Sequence, residues 1–389
     1  MTHASQLMTI ADLRRAARRR IPLFIWEYLD SGTGTEASLR RNRTALDELL
    51  FWPSVFHGEV APDLATELLG QTHALPFGIA PVGQSGLIWA DAEKTLAQHA
   101  AQTGIPYGLS NVATETPETI GPLTGGRGWF QLYPPRDETI RLDMLDRVRA
   151  SGFSALILTV DVPIGSRRER QVRGGLVQPP RLTPRIVGQC ITKPVWALER
   201  ARRGMTRMRT LDKYSDDDTP RDPTQHIGHL LRTAPDWGYI TWLRKHWDGT
   251  LIVKGILRPQ DAARLEAEGA DAIWVSNHAG RQFDATPAAI EALPAVRAAT
   301  RLPLLFDSGI ESGLDILRAY ALGADFVMLG RAWHYALGAL GQSGAVHLTD
   351  LLRKDIIANL GQLGAAHPRD LRGKALRMQA GHAAHVTEG

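Results

Sequence analysis

The chain has 389 residues, 43% hydrophobic and 22% charged, with a formal net charge of +4. That length holds one large α/β barrel or two ordinary domains, and the composition is that of a soluble globular protein. Its single cysteine, Cys190, excludes an intramolecular disulfide and a cysteine-based metal cluster and fits a reducing cytoplasm.

No apolar run reaches the length of a membrane span, and no secretory signal is visible. Residues 1–60 read as a helical cap segment. Arg14, Arg15, Arg18, Arg19 and Arg20 superficially suggest a transit peptide, but they run directly into Ile21-Pro22-Leu23-Phe24-Ile25-Trp26-Glu27-Tyr28. That continuation looks structured, so the arginines read as a solvated helix face, and Tyr28 as a contribution of the cap to a site. A second basic cluster lies at 181–213. Nucleic-acid binding is not expected.

Eight short apolar runs follow, at 76–82, 105–109, 128–133, 155–161, 251–254, 272–276, 303–307 and 326–329. Helix-like segments separate them, at 92–103, 139–151, 259–268, 287–299 and 313–322, several closed by a glycine (Gly104, Gly152, Gly269, Gly323). Continuously apolar strands alternating with helices predict a parallel sheet covered on both sides, and eight of them predict a TIM (β/α)8 barrel over 61–373. The long insertion after strand 4, about 170–240, reads as a lid, a binding surface or disorder. Residues 374–389 read as a flexible tail.

Catalytic residues of such barrels sit at the C-terminal ends of the strands. There the sequence places Ser110-Asn111, Gln131 and Tyr133, Thr159 and Asp161 followed by Arg167-Arg168, Lys254-Gly255, His278 and Arg281, Asp307-Ser308-Gly309, and Gly330-Arg331. In Ser276-Asn277-His278-Ala279-Gly280-Arg281-Gln282 a base lies three residues from a fixed cation. That pair suits a carboxylate next to an ionisable C–H or O–H; taken alone it also suits a structural hydrogen-bonding loop. The glycine turns after strands 7 and 8 form the usual phosphate site of barrels, or merely allow tight turns. Lys254, nearly alone in an apolar strand, reads as a salt bridge to Asp307 or as a cation beside an electron-accepting cofactor.

With Leu158-Thr159-Val160-Asp161, Arg167-Arg168-Glu169, Phe130-Gln131-Leu132-Tyr133 and Val253-Lys254-Gly255, these motifs resemble the FMN-dependent 2-hydroxy acid oxidases and dehydrogenases. That family includes glycolate oxidase, lactate oxidase, flavocytochrome b2 and mandelate dehydrogenase, and the resemblance runs from about Ile21 to Leu363. It implies FMN as cofactor and an L-2-hydroxy acid as substrate. It implies His278 as the base as hydride passes to flavin N5, and Asp161 as its orienting partner. Arg281 and Arg168 become the clamp on the substrate carboxylate, and Tyr28 and Tyr133 hydroxyl donors to the substrate. Lys254 falls near flavin N1; Ala80, Pro81, Val82, Ser110, Gln131, Thr159 and Ser276 fall around the ring; Asp307, Ser308, Gly309, Gly330 and Arg331 fall along the ribityl chain and phosphate.

The sequence departs from the family at Glu311, where an Arg usually helps hold the phosphate, which predicts weak FMN retention. It departs again at Ala279, usually Gly, which matters only if the backbone there needs a positive φ. Val112, where glycolate-type members carry an aromatic, suggests an aryl or longer-chain substrate. Gly83 and Gly86-Leu87-Ile88-Trp89 resemble the mandelate dehydrogenase type, hence a quinone or redox-protein acceptor. The alternative is an O2-using oxidase that makes hydrogen peroxide; the remoter one is a non-catalytic scaffold. Other FMN barrels, of the isopentenyl diphosphate isomerase or nitronate type, fit the Arg168, Arg281 and His278 set less well. An inosine-monophosphate-dehydrogenase type lacks its rim cysteine. The apolar and basic stretch 181–213 offers a peripheral contact with the inner membrane, or a lid or subunit contact. The resemblance also implies a homo-oligomer, a tetramer being a common form. No metal is expected.

Overall fold

All eight apolar runs are strands, and they close into one parallel barrel in sequence order. They are β1 (Phe77–Ile79), β2 (Tyr107–Ser110), β3 (Gly128–Leu132), β4 (Ala155–Thr159), β5 (Thr250–Ile256), β6 (Ala272–Val275), β7 (Leu304–Phe306) and β8 (Phe326–Leu329). The first is shorter than its apolar run because Pro81 has no N–H to donate to a neighbouring strand. β8 pairs with β1 through Val327–Phe77, Met328–Gly78 and Leu329–Ile79, which completes the ring. The computed structural model describes residues 4–176, 183–204, 206–214, 232–379 and 382–385. Parts of the expected insertion (177–182, 205, 215–231) and of the expected tail (380–381, 386–389) lie outside the described residues.

Side chains of a strand alternate between its two faces. Trp129, Ala155, Ile157, Ile252, Ala272, Trp274, Leu305, Phe326 and Met328 form a cluster of their own inside the barrel. Their neighbours Phe130, Leu156, Leu158, Leu251, Val253, Ile273, Leu304 and Val327 join the larger core under the helices. Counting on by twos from the inner set gives Gln131 and Tyr133, Thr159 and Asp161, Lys254, Ser276 and His278, Asp307, and Gly330. One parity therefore sends these groups to the same mouth. A hairpin, Thr66–Leu68 with Gln71–His73, lies at the other end, where the buried His73 ring meets Trp129 and Phe326.

The cap consists of α1 (Ile10–Arg20), α2 (Leu23–Asp30) and α3 (Ala37–Asp47). Thr9 starts α1 with a reciprocal capping box to Asp12. α1 lies against the helix Arg331–Leu340, with Gly338 facing Ala17 so closely that a Cβ there would sit 3.0 Å from the alanine methyl. The arginines of α1 are not all on a solvated face. Arg14 binds the buried Asp30 at 2.6 and 2.9 Å, and Arg18 and Arg20 lie over Trp26 and Trp89. Asp30 also accepts from Arg170 and from the Tyr335 hydroxyl, which ties α2 to the start of the insertion and to the helix after β8.

One expectation is corrected locally. Leu376–Gln379 is not free tail: it pairs antiparallel with Leu49–Leu50 of the cap segment, and Ala375 and Leu376 are buried. The described insertion is mostly helical, at Pro184–Ile191, Pro194–Arg203 and Arg209–Asp212. It is anchored where Trp196 donates to the Ile88 carbonyl and Gln189 accepts from the Phe24 amide.

Candidate active site

The barrel mouth opens into a cavity of about 810 Å³. Tyr28, Ala80, Pro81, Val82, Gln131, Tyr133, Thr159, Arg168, Lys254, His278, Arg281, Asp307, Ser308, Gly309, Gly330 and Arg331 all line it. Asp161, Ser110 and Ser276 do not; they stand behind the lining and hold members of it.

The His278 imidazole faces Asp161, with Nδ1 3.1 Å from each carboxylate oxygen. A carboxylate only accepts, so Nδ1 carries the proton and Nε2 keeps its lone pair. Burial lowers the affinity of His278 for a second proton, and Asp161 only partly offsets this, so the ring is neutral at neutral pH. Burial would raise the Asp161 carboxyl, but His278 and Lys254 outweigh that and hold it below its ordinary range. The pair is therefore a neutral base with a fixed anion behind it.

The loop that carries His278 turns sharply. His278, Ala279 and Gly280 all have positive φ, at 55°, 53° and 70°. Gly280 needs to be glycine for space as well, since a Cβ would lie 2.6 Å from the Leu39 amide nitrogen of α3. Ala279 does need the left-handed conformation, so its methyl strains the loop. Ala279→Gly should raise unfolding free energy by about 1 kcal/mol, as measured by urea denaturation. Equal stability would show the loop already relaxed.

The Arg281 guanidinium is half-buried against the cap. It donates to the carbonyls of Tyr28 at 2.8 Å, Ser31 at 3.0 Å and Leu29 at 3.2 Å, and lies over the Tyr28 ring. Burial, with Arg168 next to it, presses its pKa below the usual range. Among the described residues it has no carboxylate partner, nor does Arg168, whose Nε donates to Ser166. Two cations kept this way in one cavity favour an incoming anion. The Tyr28 hydroxyl donates to the Gly83 carbonyl at 2.7 Å. Burial pushes the Tyr133 hydroxyl up to about 12, so it remains a donor throughout the neutral range.

A second polar group lies deeper. Lys254 Nζ donates to Ser276 Oγ at 2.8 Å and meets Asp307 at 3.1 Å, and Ser276 in turn donates to Asp307. Lys254 is thus ion-paired with Asp307, as one reading of it expects, and it also lines the cavity. Ser110 donates to Gln131 Oε1 at 2.7 Å and so fixes the amide, leaving Gln131 Nε2 buried without a partner. Thr159 Oγ1 is buried and unpartnered as well. Each such atom costs about 1–3 kcal/mol unless a ligand satisfies it.

At the far end Ser308 and Gly309 turn through φ 88° and 93°, and the helix Arg331–Leu340 begins at Gly330 with no side chain capping its first amides. Such an end attracts a phosphate. Arg43 was not signalled by any motif, yet it braces this turn by donating to the Gly309 carbonyl and pairing with Asp315. Glu311 is exposed, with its backbone amide bonded to Asp315. Arg232 is a second residue the sequence did not flag; it comes from the end of the insertion to lie over Tyr133.

Gly83 and Val112 face each other at the mouth, where a Cβ on Gly83 would fall 2.7 Å from Val112 Cγ2. Among the described residues no cluster of side chains suits a metal ion, and no helix is long and apolar enough to cross a membrane.

Residues 17–378 match the model of a family described as FMN-dependent dehydrogenase. The chain is 38% identical over 350 residues to an L-lactate dehydrogenase of Xanthobacter autotrophicus, covering 89% of this chain and 90% of that one. It is 37% identical over 349 residues to an L-lactate dehydrogenase of Pseudomonas aeruginosa, covering 89% and 91%. Among solved structures it resembles the monotopic membrane protein (S)-mandelate dehydrogenase, with a TM-score of 0.90 and 32% identity over 96% of this chain and 100% of that one. It also resembles a mandelate oxidase bound to (S)-2-phenylpropionate, with a TM-score of 0.79 and 32% identity over 97% and 98%.

Proposed function

The chain belongs to the FMN-dependent dehydrogenase family, and from that premise we propose that it oxidises an L-2-hydroxy acid to the 2-oxo acid. The observation that carries the reading is the neutral, carboxylate-backed His278 in one cavity with Arg168 and Arg281. The residues fit FMN: the unpartnered Gln131 Nε2 and Thr159 Oγ1 suit the polar edge of the flavin, Lys254 suits its electron-rich side, and the Ser308-Gly309 and Gly330-Arg331 turns suit the phosphate. Bound there, FMN supplies a two-electron acceptor for the hydrogen on substrate C2.

Arg281 and Arg168 hold the substrate carboxylate, with the Tyr28 and Tyr133 hydroxyls beside it. This fixes the C2 hydroxyl toward His278. His278 Nε2 takes the hydroxyl proton, the C2–O bond becomes a carbonyl, and Asp161 stabilises the imidazolium that forms. Lys254, held by Ser276 and Asp307, sets a positive charge where negative charge builds during reduction. A 2-oxo acid formed one-for-one with reduced dye acceptor, from at least one L-2-hydroxy acid, is the expected result; no turnover of any such acid would remove the reading.

The small wall at Val112 supports an aryl or longer-chain acid over glycolate. Gly83 with Gly86-Leu87-Ile88-Trp89, the lactate dehydrogenase relatives and the mandelate dehydrogenase neighbour support a quinone or redox protein over O2 as acceptor. Turnover with a quinone analogue that far exceeds turnover with oxygen is expected; equal rates would favour the oxidase.

Glu311 supports weak flavin retention. Although exposed, it lines the cavity next to the phosphate turn. Glu311→Arg should tighten FMN binding roughly 5- to 30-fold, the scale of a screened surface charge reversal. Fluorescence titration of the apoprotein checks this, and an unchanged affinity would show that Glu311 turns away from the phosphate.

We also propose that the helices Pro184–Ile191 and Pro194–Arg203, within the 181–213 stretch, rest on an anionic membrane surface. Val187, Ile191, Val195 and Leu198 are exposed along two consecutive helices, beside Arg202 and Arg203. The neighbour described as monotopic supports this. Replacing those four residues with serine should abolish cosedimentation with anionic vesicles while leaving activity intact. Unchanged cosedimentation would leave the segment as a lid or subunit contact.

A further inference from the structure

The cavity holds more positive charge than one hydroxy acid and one phosphate consume. Lys254 is matched by Asp307. Arg331 opens the helix at the phosphate turn. Arg281 and Arg168 are assigned to the C1 carboxylate. Arg167 is exposed and pairs with Glu169, and Arg173 is exposed and donates to the Glu169 carbonyl. Arg232 remains.

Arg232 is held in place. Its backbone bridges Pro135, and the next amide, Thr233, donates to the Pro134 carbonyl at 2.8 Å, so the insertion returns to the barrel just beyond Tyr133. The residue is only 8% exposed and lines the cavity. Its guanidinium lies 5.9 Å from the centre of the Tyr133 ring. Among the described residues no carboxylate pairs with it, and the charges that reach it are the Tyr133 hydroxyl and the Arg168 guanidinium. Burying a guanidinium beside another is costly, and an anion bound between them offsets that cost. The Tyr133 face lowers the cost but cannot accept a forked pair of hydrogen bonds, whereas a carboxylate can.

We propose that Arg232 is a specificity residue and that the preferred substrate is a 2-hydroxy acid with a second carboxylate on its side chain. This rests on the reading of the cavity as a 2-hydroxy acid site. Arg281 and Arg168 hold the carboxylate common to all such acids, and Arg232 holds the distal one beyond Tyr133. The same placement suits a longer chain, which the small wall at Val112 admits.

The test uses the full chain saturated with FMN and a dye acceptor. Two diacids, (S)-malate and (S)-2-hydroxyglutarate, are compared with (S)-2-hydroxybutanoate and (S)-2-hydroxypentanoate, which match them in length. One diacid should exceed its length-matched monoacid in kcat/KM by about 10-fold or more, the scale of one charge-assisted pair. Arg232→Gln should remove most of that preference by lowering the diacid alone, and Arg232→Lys should restore part of it. Flavin content, read from the visible spectrum, should be the same in all three proteins. Monoacids turned over as well as or better than both diacids would overturn the proposal and leave the hydroxy acid reading standing. An equal loss for both acid classes in Arg232→Gln would also overturn it, by placing Arg232 on the common carboxylate. Turnover of none of these acids, nor of lactate or mandelate, would overturn both readings together.

Discussion

Replacing His278 with alanine should lower flavin reduction by a 2-hydroxy acid roughly 10³- to 10⁴-fold, with FMN still bound. The imidazole is the neutral base in the cavity, its tautomer fixed by Asp161, and removing it leaves the hydroxyl proton without an acceptor. Flavin retention should survive because the polar atoms suited to FMN belong to Gln131, Thr159, Lys254 and the strand 7 and 8 turns. The pH profile carries the same claim. His278 must be unprotonated to act, and burial lowers its pKa, so wild-type kcat/KM should rise with pH on the acid side and level off before neutrality. Asp161→Asn removes the anion that favours the imidazolium. It should move that acid limb lower still and reduce kcat by about 10- to 100-fold. An alanine variant that reduces its flavin at the wild-type rate would assign the proton to another group.

Arg281→Met should cost roughly 10²- to 10³-fold in kcat/KM, most of it through KM, since truncating one partner of a buried charged pair costs about 2–5 kcal/mol. The same change strands the carbonyls of Tyr28, Leu29 and Ser31, to which Arg281 donates, so the cap should loosen and the thermal midpoint should fall. Arg281→Lys separates the two effects. It keeps the charge but loses the planar fork, so it should recover part of the binding and little of the cap. Steady-state kinetics with thermal unfolding of all three proteins checks both. Substrate affinity unchanged in Arg281→Met would leave the carboxylate to Arg168 and Arg232.

The barrel was legible because each strand is a short apolar run followed by a turn, and because the polar residues at the strand ends continue the inward parity of the runs beneath them. Asp161, Lys254 and His278 converge for that reason. The phosphate end was half legible: Gly309 and Gly330 marked the turns, but Arg43 reaches the first of them from a cap helix with no motif around it. Ser110 and Ser276 have the right position along their strands but lie one layer back, where their hydroxyls are engaged with Gln131 and Lys254. Arg232 left no signal because its place depends on where a long insertion rejoins the barrel, which neither periodicity nor a motif records. The strand at Leu376–Gln379 was hidden for a similar reason: its partner, Leu49–Leu50, lies more than 300 residues away along the chain.

The most direct test of the central claim is the visible spectrum of the FMN-saturated protein under anaerobic conditions, before and after addition of L-2-hydroxy acids that span lactate, mandelate and the diacids. Bleaching of the flavin band by at least one of them, with the matching 2-oxo acid recovered in equal amount, is the predicted result. A bound flavin that none of them bleaches would contradict the assignment of His278, Arg168 and Arg281 to hydroxy acid oxidation.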